Sequence, residues 1–587
     1  MKQLARWLPI LEWGRSYHRR LAVQDGVAAA IVTLMLVPQS LAYAMLAGLP
    51  PAAGLYASML PLVGYALFGS SSTLAVGPVA VVSLMTATAL SPHFAAGTPE
   101  YAAAALLLAL LSGLVLVLLA LLRLDFLANF LSHPVISGFI SGSAVLIAVG
   151  QLRHILGVEA GGDTLAELLP ALWRALPQLH GPTLLIGAGS LLLLYLGRNR
   201  LGGWLRARGV RPGTASILVR AWPALVLLAA IGLASALDLA QVGVAVVGTV
   251  PAGLPPLTLP PLDRQLAWQL LPAAVLISLV GFIETISVAH TLAAKRRQRI
   301  RPEQELLGLG AANLAAAVSG GFPVTGGFAR SVVNFDAGAQ TPMAGIFTAG
   351  GIALVALFFT PWLQNLPEAV LAAIIIVAVL GLVDLPALRR VWRFSRQDFA
   401  AMMATQLGVL LLGVEAGIML GVALSLLLFL WRTSRPHMAV VGQVPGTEHF
   451  RNVERFPVAC SESVLSVRID ESLYFSNIRF LEERLLQLAL ARPGVRHLVL
   501  MCSGVNHIDA SALDSLDALA ERLRAAGIQL HLSEVKGPVM DQLRRSDFLE
   551  RFGGQVFVSQ FQALQTLDPA SIVAPGQPAD QARSERR

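Results

Sequence analysis

Two charged residues lie inside long apolar stretches of this sequence, where a charge is costly. Arg330 follows a Gly-Gly pair in an otherwise uncharged run, and Glu284 occupies the middle of the apolar stretch Leu279–Ser287. A charged side chain at mid-membrane depth costs about 3 kcal/mol or more and commonly marks a transport pathway. Arg330 could therefore add a positive charge to an anion site, or it could form a structural ion pair with Asp336 or Glu284.

The chemistry open to Glu284 depends on its neighbours. Loss of water disfavours the charged carboxylate, so a buried Glu284 is a candidate proton carrier. A nearby Arg330 would oppose that effect by stabilising the charged form, and the sequence gives no distance between the two. A proton carrier and a permanently paired acid both remain open.

Two apolar segments are too short to cross a bilayer as helices and are interrupted by Gly and Pro. The first begins at Gly77-Pro78-Val79, and the second begins within Gly320–Asn334. Each reads as a few extended residues followed by a half-helix that starts near Val79 or near Gly327. The N–H groups at a helix start are unpaired and carry partial positive charge, so two facing starts would cradle an anion. Two kinked spans without a ligand are the alternative.

The first apolar segment carries polar side chains on one face. Gln39 and Tyr43 lie in Val37–Ala44 and are four residues apart, which places them on the same side of a helix. An amide and an aromatic hydroxyl suit an anion pocket. The same residue types also join spans to each other, so the pair alone is weak evidence.

The composition predicts a membrane protein. Of 587 residues, 55% are hydrophobic and 13% are charged, against about 25% charged in a soluble chain. The mean hydropathy is +0.67, and a single soluble core stops growing near about 300 residues. We predict about fourteen apolar segments between Asp25 and Trp431, of about 20 residues where they span fully. The net charge is +8, and the basic residues lie between these segments, as in the basic loops of membrane proteins. This distribution does not indicate nucleic-acid binding.

The loop charges also predict the topology. Basic clusters follow the even-numbered segments, which places both termini in the cytoplasm and requires an even number of spans. The two interrupted segments occupy the third and tenth places. These places are equivalent if the domain consists of two repeats of seven segments, and such repeats must be inverted. Matched interruptions of this kind indicate a transport site.

The C-terminal part has a different pattern. Strand-like stretches at Val464–Asp470, Arg496–Cys502 and Ile528–Ser533 alternate with amphipathic helical stretches at Asn477–Ala491 and Ser511–Ala526, which predicts a small α/β domain. We predict five regions: a cytoplasmic N-terminal segment (1–24), a transmembrane domain (25–435), a linker (436–460), an α/β domain (461–568) and a disordered tail (569–587).

No motif for catalysis or metal binding is evident. The sequence has no Gly-Lys-Ser/Thr phosphate loop, no HExxH and no CxxC, and Cys460 and Cys502 do not form a disulfide framework. We predict that the protein is not an enzyme and has no cofactor or metal. Transport would be passive or driven by a gradient.

These motifs together resemble the SulP family of anion transporters, whose animal relatives include prestin and pendrin. The resemblance covers about Asp25 to Leu567, and its most specific pieces are Val37–Ala44, Ala75–Ala80 and Gly321–Ser331. It implies an α-helical polytopic protein with 14 transmembrane segments in a 7+7 inverted repeat. It also implies a core domain that moves against a gate domain, and a homodimer.

The resemblance further implies an anion site between the third and tenth segments. The residues that it places there are Gln39, Tyr43, Val79, Gly327, Phe328, Ala329 and Arg330. Some relatives carry serine where Ala329 stands, so only backbone contacts would remain at that position. Glu284 matches an aspartate of a sodium-coupled bicarbonate transporter, but a threonine four residues further on is Val288 here. This difference favours proton coupling through Glu284 over sodium coupling.

The C-terminal domain resembles STAS domains, which are named for sulfate transporters and anti-sigma-factor antagonists. Soluble relatives have a phosphorylatable serine in the loop that corresponds to Asn506–Leu513, and its position is Ala510 here. Ser511 is adjacent, so Asp509 and Ser511 are the candidate regulatory residues. We expect Ser511 to be a helix N-cap with Asp514 nearby, which argues against phosphorylation.

We therefore predict a secondary active transporter of small anions in the cytoplasmic (inner) membrane, with proton-coupled uptake of sulfate or a related anion. Bicarbonate, C4-dicarboxylates and anion exchange remain open. A passive channel and a STAS-based sensor or scaffold are the alternatives of another class. The predicted partners are the anion, a proton, the lipid bilayer, a second copy of the chain and a cytoplasmic protein bound by the STAS domain, but no nucleic acid.

Overall fold

The computed structural model describes residues 8–124, 132–249 and 251–573. The chain divides into two compact units, Met1–Ser425 and Leu426–Arg587. Residues 1–7 of the predicted N-terminal segment and 574–587 of the predicted disordered tail lie outside the described residues. At the start of that predicted tail, Pro569–Ser571 form a single 3-10 turn.

Among its described residues, the first unit is helical apart from one pair of very short strands and an isolated bridge between Val246 and Pro367. Its first ten helices are α1 (Ile10–Trp13), α2 (Arg19–Leu46), α3 (Pro51–Tyr56), α4 (Leu60–Phe68), α5 (Ala80–Leu90), α6 (Pro99–Leu121), α7 (His133–Leu156), α8 (Leu165–Ala175), α9 (Gly181–Leu196) and α10 (Gly202–Ala207). The next ten are α11 (Pro212–Ala236), α12 (Arg264–Arg296), α13 (Pro302–Val318), α14 (Phe328–Asp336), α15 (Met343–Phe358), α16 (Thr360–Leu363), α17 (Glu368–Leu380), α18 (Leu385–Phe394), α19 (Arg396–Leu412) and α20 (Val414–Ser434).

The helices of the first unit have the length and composition of membrane spans. Among the described residues, 8 helical stretches are long and apolar enough to cross a bilayer. Shorter apolar helices, which include α5 and α15, accompany them. Gly and Pro divide several predicted segments into shorter helices, because proline removes a backbone donor and clashes with the preceding turn. The count of fourteen spans therefore stays a prediction.

Both interrupted segments adopt the predicted form of extended residues followed by a short helix. Strand β1 (Val76–Gly77) pairs antiparallel with β2 (Thr325–Gly326). Helix α5 begins three residues after β1, and α14 begins two residues after β2. The pairing satisfies backbone groups that an extended segment would otherwise leave unpaired in a membrane. It also holds the two helix starts next to each other.

Two apolar clusters stabilise this unit. One gathers α6, α12 and α13 around buried side chains such as Leu107, Ile277 and Leu309. The other gathers α2, α7 and α17 around Leu41, Ile147 and Ile374. Many helix positions in the first unit are alanine or glycine, and small residues let helices approach closely where lipid removes the hydrophobic driving force.

The second unit is a six-stranded sheet with helices. Its strands are β3 (Met438–Gln443), β4 (Phe450–Asn452), β5 (Val464–Ile469), β6 (His497–Met501), β7 (Gln529–Ser533) and β8 (Val556–Phe557), in the order β4-β3-β5-β6-β7-β8. Its helices are α21 (Ile478–Leu490), α22 (Ala510–Ala525), α23 (Gly537–Arg544), α24 (Phe548–Arg551) and α25 (Gln560–Leu567). Strands β5 to β8 are parallel, which requires the helical crossovers that the sequence predicts.

The three predicted strands are confirmed to within one residue at each end. Strands β3 and β4, in contrast, lie in the segment 436–460 that the sequence predicts as a linker. Strand β3 pairs antiparallel with β5 and buries Ala439 and Val441. Its alternating pattern is short, and its partner strand lies more than twenty residues away, so local sequence gives little sign of it.

The prediction that Ser511 caps a helix is wrong. Asp509 is the N-cap of α22, and its carboxylate accepts a hydrogen bond from the N–H of Ala512 at 2.8 Å. The other oxygen of that carboxylate accepts from the N–H of Phe475 at 2.8 Å. Ser511 lies inside the first turn and is exposed. Aspartate caps at least as well as serine, and here it also joins two loops.

Candidate anion-binding cavity

A cavity of about 360 Å³ lies in the first unit at the starts of α5 and α14. It brings together every residue that the sequence predicts for the anion site and the predicted proton carrier: Gln39, Tyr43, Val79, Glu284, Gly327, Phe328, Ala329 and Arg330. These residues come from α2, α12 and the two interrupted segments, which are far apart in sequence. That they bind an anion or a proton stays a prediction at this point.

The two half-helices begin at the cavity wall. Val79 is the N-cap of α5 with φ −132° and ψ 143°, and Gly327 is the N-cap of α14 with φ −86° and ψ 133°. The first backbone hydrogen bonds run from Ser83 N–H to the Val79 carbonyl at 2.8 Å and from Ser331 N–H to the Gly327 carbonyl at 3.1 Å. The earlier N–H groups of each helix therefore lack intrahelical acceptors and attract negative charge.

Arg330 is buried beside these helix starts without a full set of partners. Its side chain is only 2% exposed. One guanidinium nitrogen, Nη2, makes a long contact of 3.5 Å to the Thr325 carbonyl. The other, Nη1, has no hydrogen-bond acceptor among the described residues, and Arg330 forms no ion pair there. The predicted alternative of an ion pair with Asp336 or Glu284 is therefore not observed. A buried cation without a partner is costly, so this arrangement favours a bound anion.

Two glycines make room for the guanidinium. A Cβ atom at Gly77 would lie 2.6 Å from Nη1 of Arg330, and one at Gly327 would lie 3.0 Å from its Nε. Both distances are shorter than ordinary van der Waals contact. The absence of side chains at these positions therefore lets Arg330 lie against the β1–β2 pair.

Three other polar side chains of the cavity, Gln39, Tyr43 and Glu284, also lack hydrogen-bond partners among the described residues. Glu284 and Gln39 are half-buried, and Tyr43 is 8% exposed. None of the three makes a side-chain hydrogen bond to the parts of the chain that the structure describes. An amide, a hydroxyl and a carboxyl group are thus directed to a cavity rather than used to join helices. Phe328 and Ala329 are exposed, and Ala329 offers no side-chain donor.

A network of polar residues that the sequence did not single out supports the β1–β2 pair. The hydroxyl of Thr325 lies 2.9 Å from that of Thr285 and donates to the Gly281 carbonyl at 2.7 Å, while Thr285 Oγ1 accepts from Gly326 N–H at 3.0 Å. Ser331 Oγ donates to the Gly327 carbonyl at 2.8 Å and accepts from Ala75 N–H at 3.0 Å. The only sequence signal was the presence of hydroxyl residues within apolar segments.

Asn313 of α13 also supports the β1–β2 pair through hydrogen bonds. Its amide oxygen accepts from Val324 N–H at 3.0 Å, and its amide nitrogen donates to the Val324 carbonyl at 2.9 Å. The side chain therefore replaces a strand partner for the residue before β2. An asparagine inside an apolar helix is a recognisable signal of this kind of backbone support.

The opposite wall of the cavity comes from other helices and contains a second arginine. Arg198, in a π-helical turn (Gly197–Leu201) that joins α9 to α10, lines the cavity together with Trp222 of α11 and Val377 of α17. Its Nη1 donates to the Val377 carbonyl at 2.6 Å. The sequence places Arg198 in a basic loop between segments. Only the fold shows that it faces the same cavity as Arg330.

The comparisons with known proteins agree with this arrangement. The model of the sulfate permease family matches residues 23–405, and the model of the STAS domain matches residues 455–563. Probable sulfate transporter 4.2 of Arabidopsis thaliana is 35% identical over 573 residues, which cover 94% of this chain and 81% of that protein. A probable sulfate transporter of Mycobacterium tuberculosis is 35% identical over 552 residues, covering 94% of this chain and 96% of that protein.

Solved structures show the same fold. The murine anion transporter named solute carrier 26 family member A9, in an inward-facing state, superposes with a TM-score of 0.86 at 21% identity, covering 96% of this chain and 94% of that chain. The transmembrane domain of the cyanobacterial bicarbonate transporter BicA has a TM-score of 0.57 at 22% identity, covering 68% of this chain and 98% of that chain. The resemblance to SulP transporters and STAS domains is confirmed, and the curated relatives are transporters rather than enzymes. This chain belongs to the sulfate permease family of multi-pass membrane anion transporters and carries a C-terminal STAS domain.

Proposed function

We propose that this protein is a secondary active transporter that takes up sulfate or a related oxyanion together with protons. The observation that carries the proposal is the buried guanidinium of Arg330, whose Nη1 has no acceptor among the described residues and which lies beside the starts of α5 and α14. An oxyanion in the cavity would accept hydrogen bonds from this side chain and from the free N–H groups of both helices.

Charge counting supports the choice of a divalent anion. Arg330 contributes one positive charge, and the two helix starts contribute roughly half a charge each. The wall that contains Arg330 therefore sums to about +2 when Glu284 is protonated, and the exposed Arg198 of the opposite wall is not included in this sum. The sum falls to about +1 when Glu284 is ionised. Proton binding at Glu284 would therefore strengthen the binding of a doubly charged oxyanion, and the anion would in turn strengthen the binding of the proton. This reciprocity is what symport requires.

The identity of the anion rests on the relatives. The similar proteins of Arabidopsis thaliana and Mycobacterium tuberculosis are named as probable sulfate transporters, which favours sulfate, while the similar BicA domain belongs to a bicarbonate transporter. Bicarbonate and C4-dicarboxylates therefore stay as alternatives, because backbone N–H groups hold any small oxyanion. A passive channel and a STAS-based scaffold are weaker candidates. Neither a passive channel nor a scaffold requires an acid such as Glu284 in the wall of the cavity.

Transport would proceed by movement of one cavity wall past the other. One wall consists of the half-helices and α12, and the other consists of α9, α11 and α17. Interrupted helices at matched places support a fixed site that is exposed alternately to the two sides. We further propose that the protein resides in the cytoplasmic (inner) membrane as a homodimer, with both termini in the cytoplasm and the STAS domain available to a cytoplasmic partner.

Labelled-anion uptake into proteoliposomes tests this function. Sulfate, bicarbonate and fumarate would each be offered with and without an inward proton gradient and, separately, with a sodium gradient at constant pH. We expect sulfate to accumulate only with the proton gradient. We expect Glu284→Gln to abolish that accumulation, and Glu303→Gln, which neutralises an exposed acid at the start of α13, to leave it unchanged.

Two results would contradict the proposal. Uptake that ignores the proton gradient but accelerates with anion inside would make the protein an exchanger, with Glu284 in a structural role. Uptake driven equally by sodium would remove the proton from the mechanism.

A further inference from the structure

Helix α18 (Leu385–Phe394) follows the apolar helix α17 and precedes α19, and short connections hold it close to both. Only Gly381–Asp384 separate it from α17, and Ser395 alone separates it from α19. Four residues span at most about 14 Å, so α18 has no length of chain with which to leave the surface of the membrane. It is a helix of 10 residues, about 15 Å long.

One side of α18 packs on the protein while large apolar side chains remain exposed. Ala387 is 3% exposed and anchors the helix. Leu385, Trp392 and Phe394 are 66%, 51% and 89% exposed. Large apolar side chains with this exposure are unusual at a surface in contact with water and are typical of helices that lie in the membrane interface.

Helix α18 also carries several arginines. Arg389, Arg390 and Arg393 lie on α18 and are exposed. Arg390 has one weak, exposed contact of 3.8 Å with Asp384. Arg389 and Arg393, four residues apart and therefore on one face, make no ion pair or hydrogen bond to any part of the chain that the structure describes.

The arginines and the apolar side chains share one open groove. Its lining, named here the α18 groove, consists of Leu385, Pro386, Arg389, Arg390, Arg393 and Phe394. None of these residues lines the cavity that contains Arg330. The groove therefore needs an explanation apart from transport.

We propose that the α18 groove binds the headgroup of an anionic phospholipid, with the lipid chains against Leu385 and Phe394. Guanidinium groups bind phosphate oxygens in pairs, and basic clusters next to membrane segments bind anionic lipids. A free inorganic anion would use the arginines but would gain nothing from the exposed apolar side chains. A lipid would use both the arginines and the exposed apolar side chains. The short connections on either side of α18 also keep the groove close to the bilayer, so a lipid is the ligand that fits best. This inference does not depend on the proposed transport function.

The test is lipid binding to the purified full-length chain in a neutral detergent, measured by native mass spectrometry. Dioleoyl phosphatidylglycerol and dioleoyl phosphatidylcholine would be titrated separately. We expect preferential retention of phosphatidylglycerol. Arg389→Gln with Arg393→Gln should weaken that binding about 25-fold, which is about fivefold for each arginine.

A matched control removes two charges elsewhere. Arg479 and Arg484 are exposed on α21 in the second unit, so Arg479→Gln with Arg484→Gln has the same charge change. This variant should bind phosphatidylglycerol like the parent protein. Equal weakening in both variants would mean that the effect is one of net charge and would overturn the proposal.

Two further arms separate a lipid from a free anion. Phe394→Ser should weaken the binding of dioleoyl phosphatidylglycerol several-fold and leave the binding of inorganic phosphate unchanged. Equal affinity for the two lipids, or full displacement of phosphatidylglycerol by millimolar inorganic phosphate, would overturn the proposal. Should the double arginine variant fail to fold, Arg389→Lys with Arg393→Lys keeps the charge and loses paired hydrogen bonds, and we expect it to show an intermediate affinity.

Discussion

At the scale of single residues, the unusual feature of this protein is a buried arginine that lacks a full set of hydrogen-bond partners among the described residues. The chain keeps Arg330 2% exposed, with one nitrogen lacking an acceptor among the described residues. Such a residue lowers the stability of the anion-free protein, because a buried guanidinium with an unmade hydrogen bond is not fully compensated for the loss of water. The same arrangement gives binding energy to any anion that enters.

We expect Arg330→Gln to have opposite effects on stability and on binding. The melting temperature of the anion-free protein should rise, because the substitution removes a buried guanidinium whose Nη1 has no acceptor among the described residues, while the neighbouring Glu284 can take up a proton. Sulfate affinity should fall about 10- to 100-fold, as for the loss of a hydrogen bond from a charged group. Thermal unfolding of the detergent-purified protein, with and without sulfate, measures both. A lower melting temperature with unchanged sulfate stabilisation would mean that Arg330 is structural.

Arg198 should affect capture of the anion rather than coupling to protons. It is exposed at the opposite wall of the cavity and bonds to the Val377 carbonyl at 2.6 Å. We expect Arg198→Gln to raise KM for sulfate about threefold to tenfold at low ionic strength, with little change in proton dependence, because an exposed charge acts mainly through steering. Uptake kinetics at two salt concentrations test this. An effect that does not diminish at high salt would contradict it.

At the scale of elements, the β1–β2 pair determines where the two half-helices begin. It relies on two glycines that face Arg330 and on hydroxyl groups from α12 and α14. In a membrane, an extended backbone segment persists only where protein groups satisfy its N–H and C=O groups. The polar network is therefore what permits an irregular segment at this depth.

Adding one methyl group at Gly77 should disturb both the backbone of β1 and the site, because Gly77 has a φ of +155°, which L side chains rarely adopt. The new Cβ would lie 2.6 Å from Arg330 Nη1. Relief of such a contact typically costs about 1–3 kcal/mol, and the flexible guanidinium is the group that can move. We expect Gly77→Ala to lower sulfate affinity at least tenfold. Gly26→Ala, in α2 with nothing within 4 Å of the new atom, is the control and should behave like the parent protein.

Removal of one hydroxyl should weaken the support of β2. Thr285→Val keeps the shape of the side chain but leaves Gly326 N–H without its acceptor, which costs about 1–3 kcal/mol when the group is buried. We expect a lower melting temperature and reduced sulfate binding. Thr291→Val, on the exposed face of the same helix, removes a hydroxyl that bonds only to the Ser287 carbonyl. Equal effects of both substitutions would contradict a special role for Thr285.

At the scale of the whole molecule, the second unit contains its own pH-sensitive residue, His531. In the second unit, burial and the neighbouring His497 lower the pKa of His531 from 6.5 to about 4. Its Nδ1 accepts from Gln555 N–H at 3.1 Å, so the ring proton lies on Nε2, which is 3.1 Å from His497 Nδ1. Protonation of His531 would break the bond to Gln555.

The stability of the second unit should therefore decrease in acid. The unfolded chain binds a proton at His531 near pH 6.5, whereas the folded chain resists it down to about pH 4. Stability contributed by the neutral ring is present above pH 6.5 and is lost as the pH falls toward 4. Hydrogen exchange of β6 and β7 in the full-length chain, corrected for intrinsic rates, measures this. We expect His531→Gln to flatten the pH dependence, and His449→Gln, at an exposed site, to leave it unchanged.

The sequence by itself determined the class of protein, the two half-helices and the residues around the cavity. Apolar composition, loop charge and the Gly and Pro interruptions are local signals, and membrane insertion reads such signals segment by segment. Motif resemblance then assigned Gln39, Tyr43 and Arg330 to the anion site and Glu284 to proton coupling, and all four line one cavity. The bounds of β5, β6 and β7 also followed from local alternation.

Only the tertiary structure decided which polar groups have partners. Three features depend on contacts between segments far apart in the chain. They are the missing acceptor for Arg330 Nη1 among the described residues, the position of Arg198 in the cavity, and the hydrogen bonds from Asn313 to the residue before β2. The same is true of β3, whose place in the sheet depends on β5, and of Asp509, which caps α22 and binds a distant loop. Propensity and spacing describe neighbours along the chain, whereas partners across a fold are settled by packing, and local sequence does not contain that information.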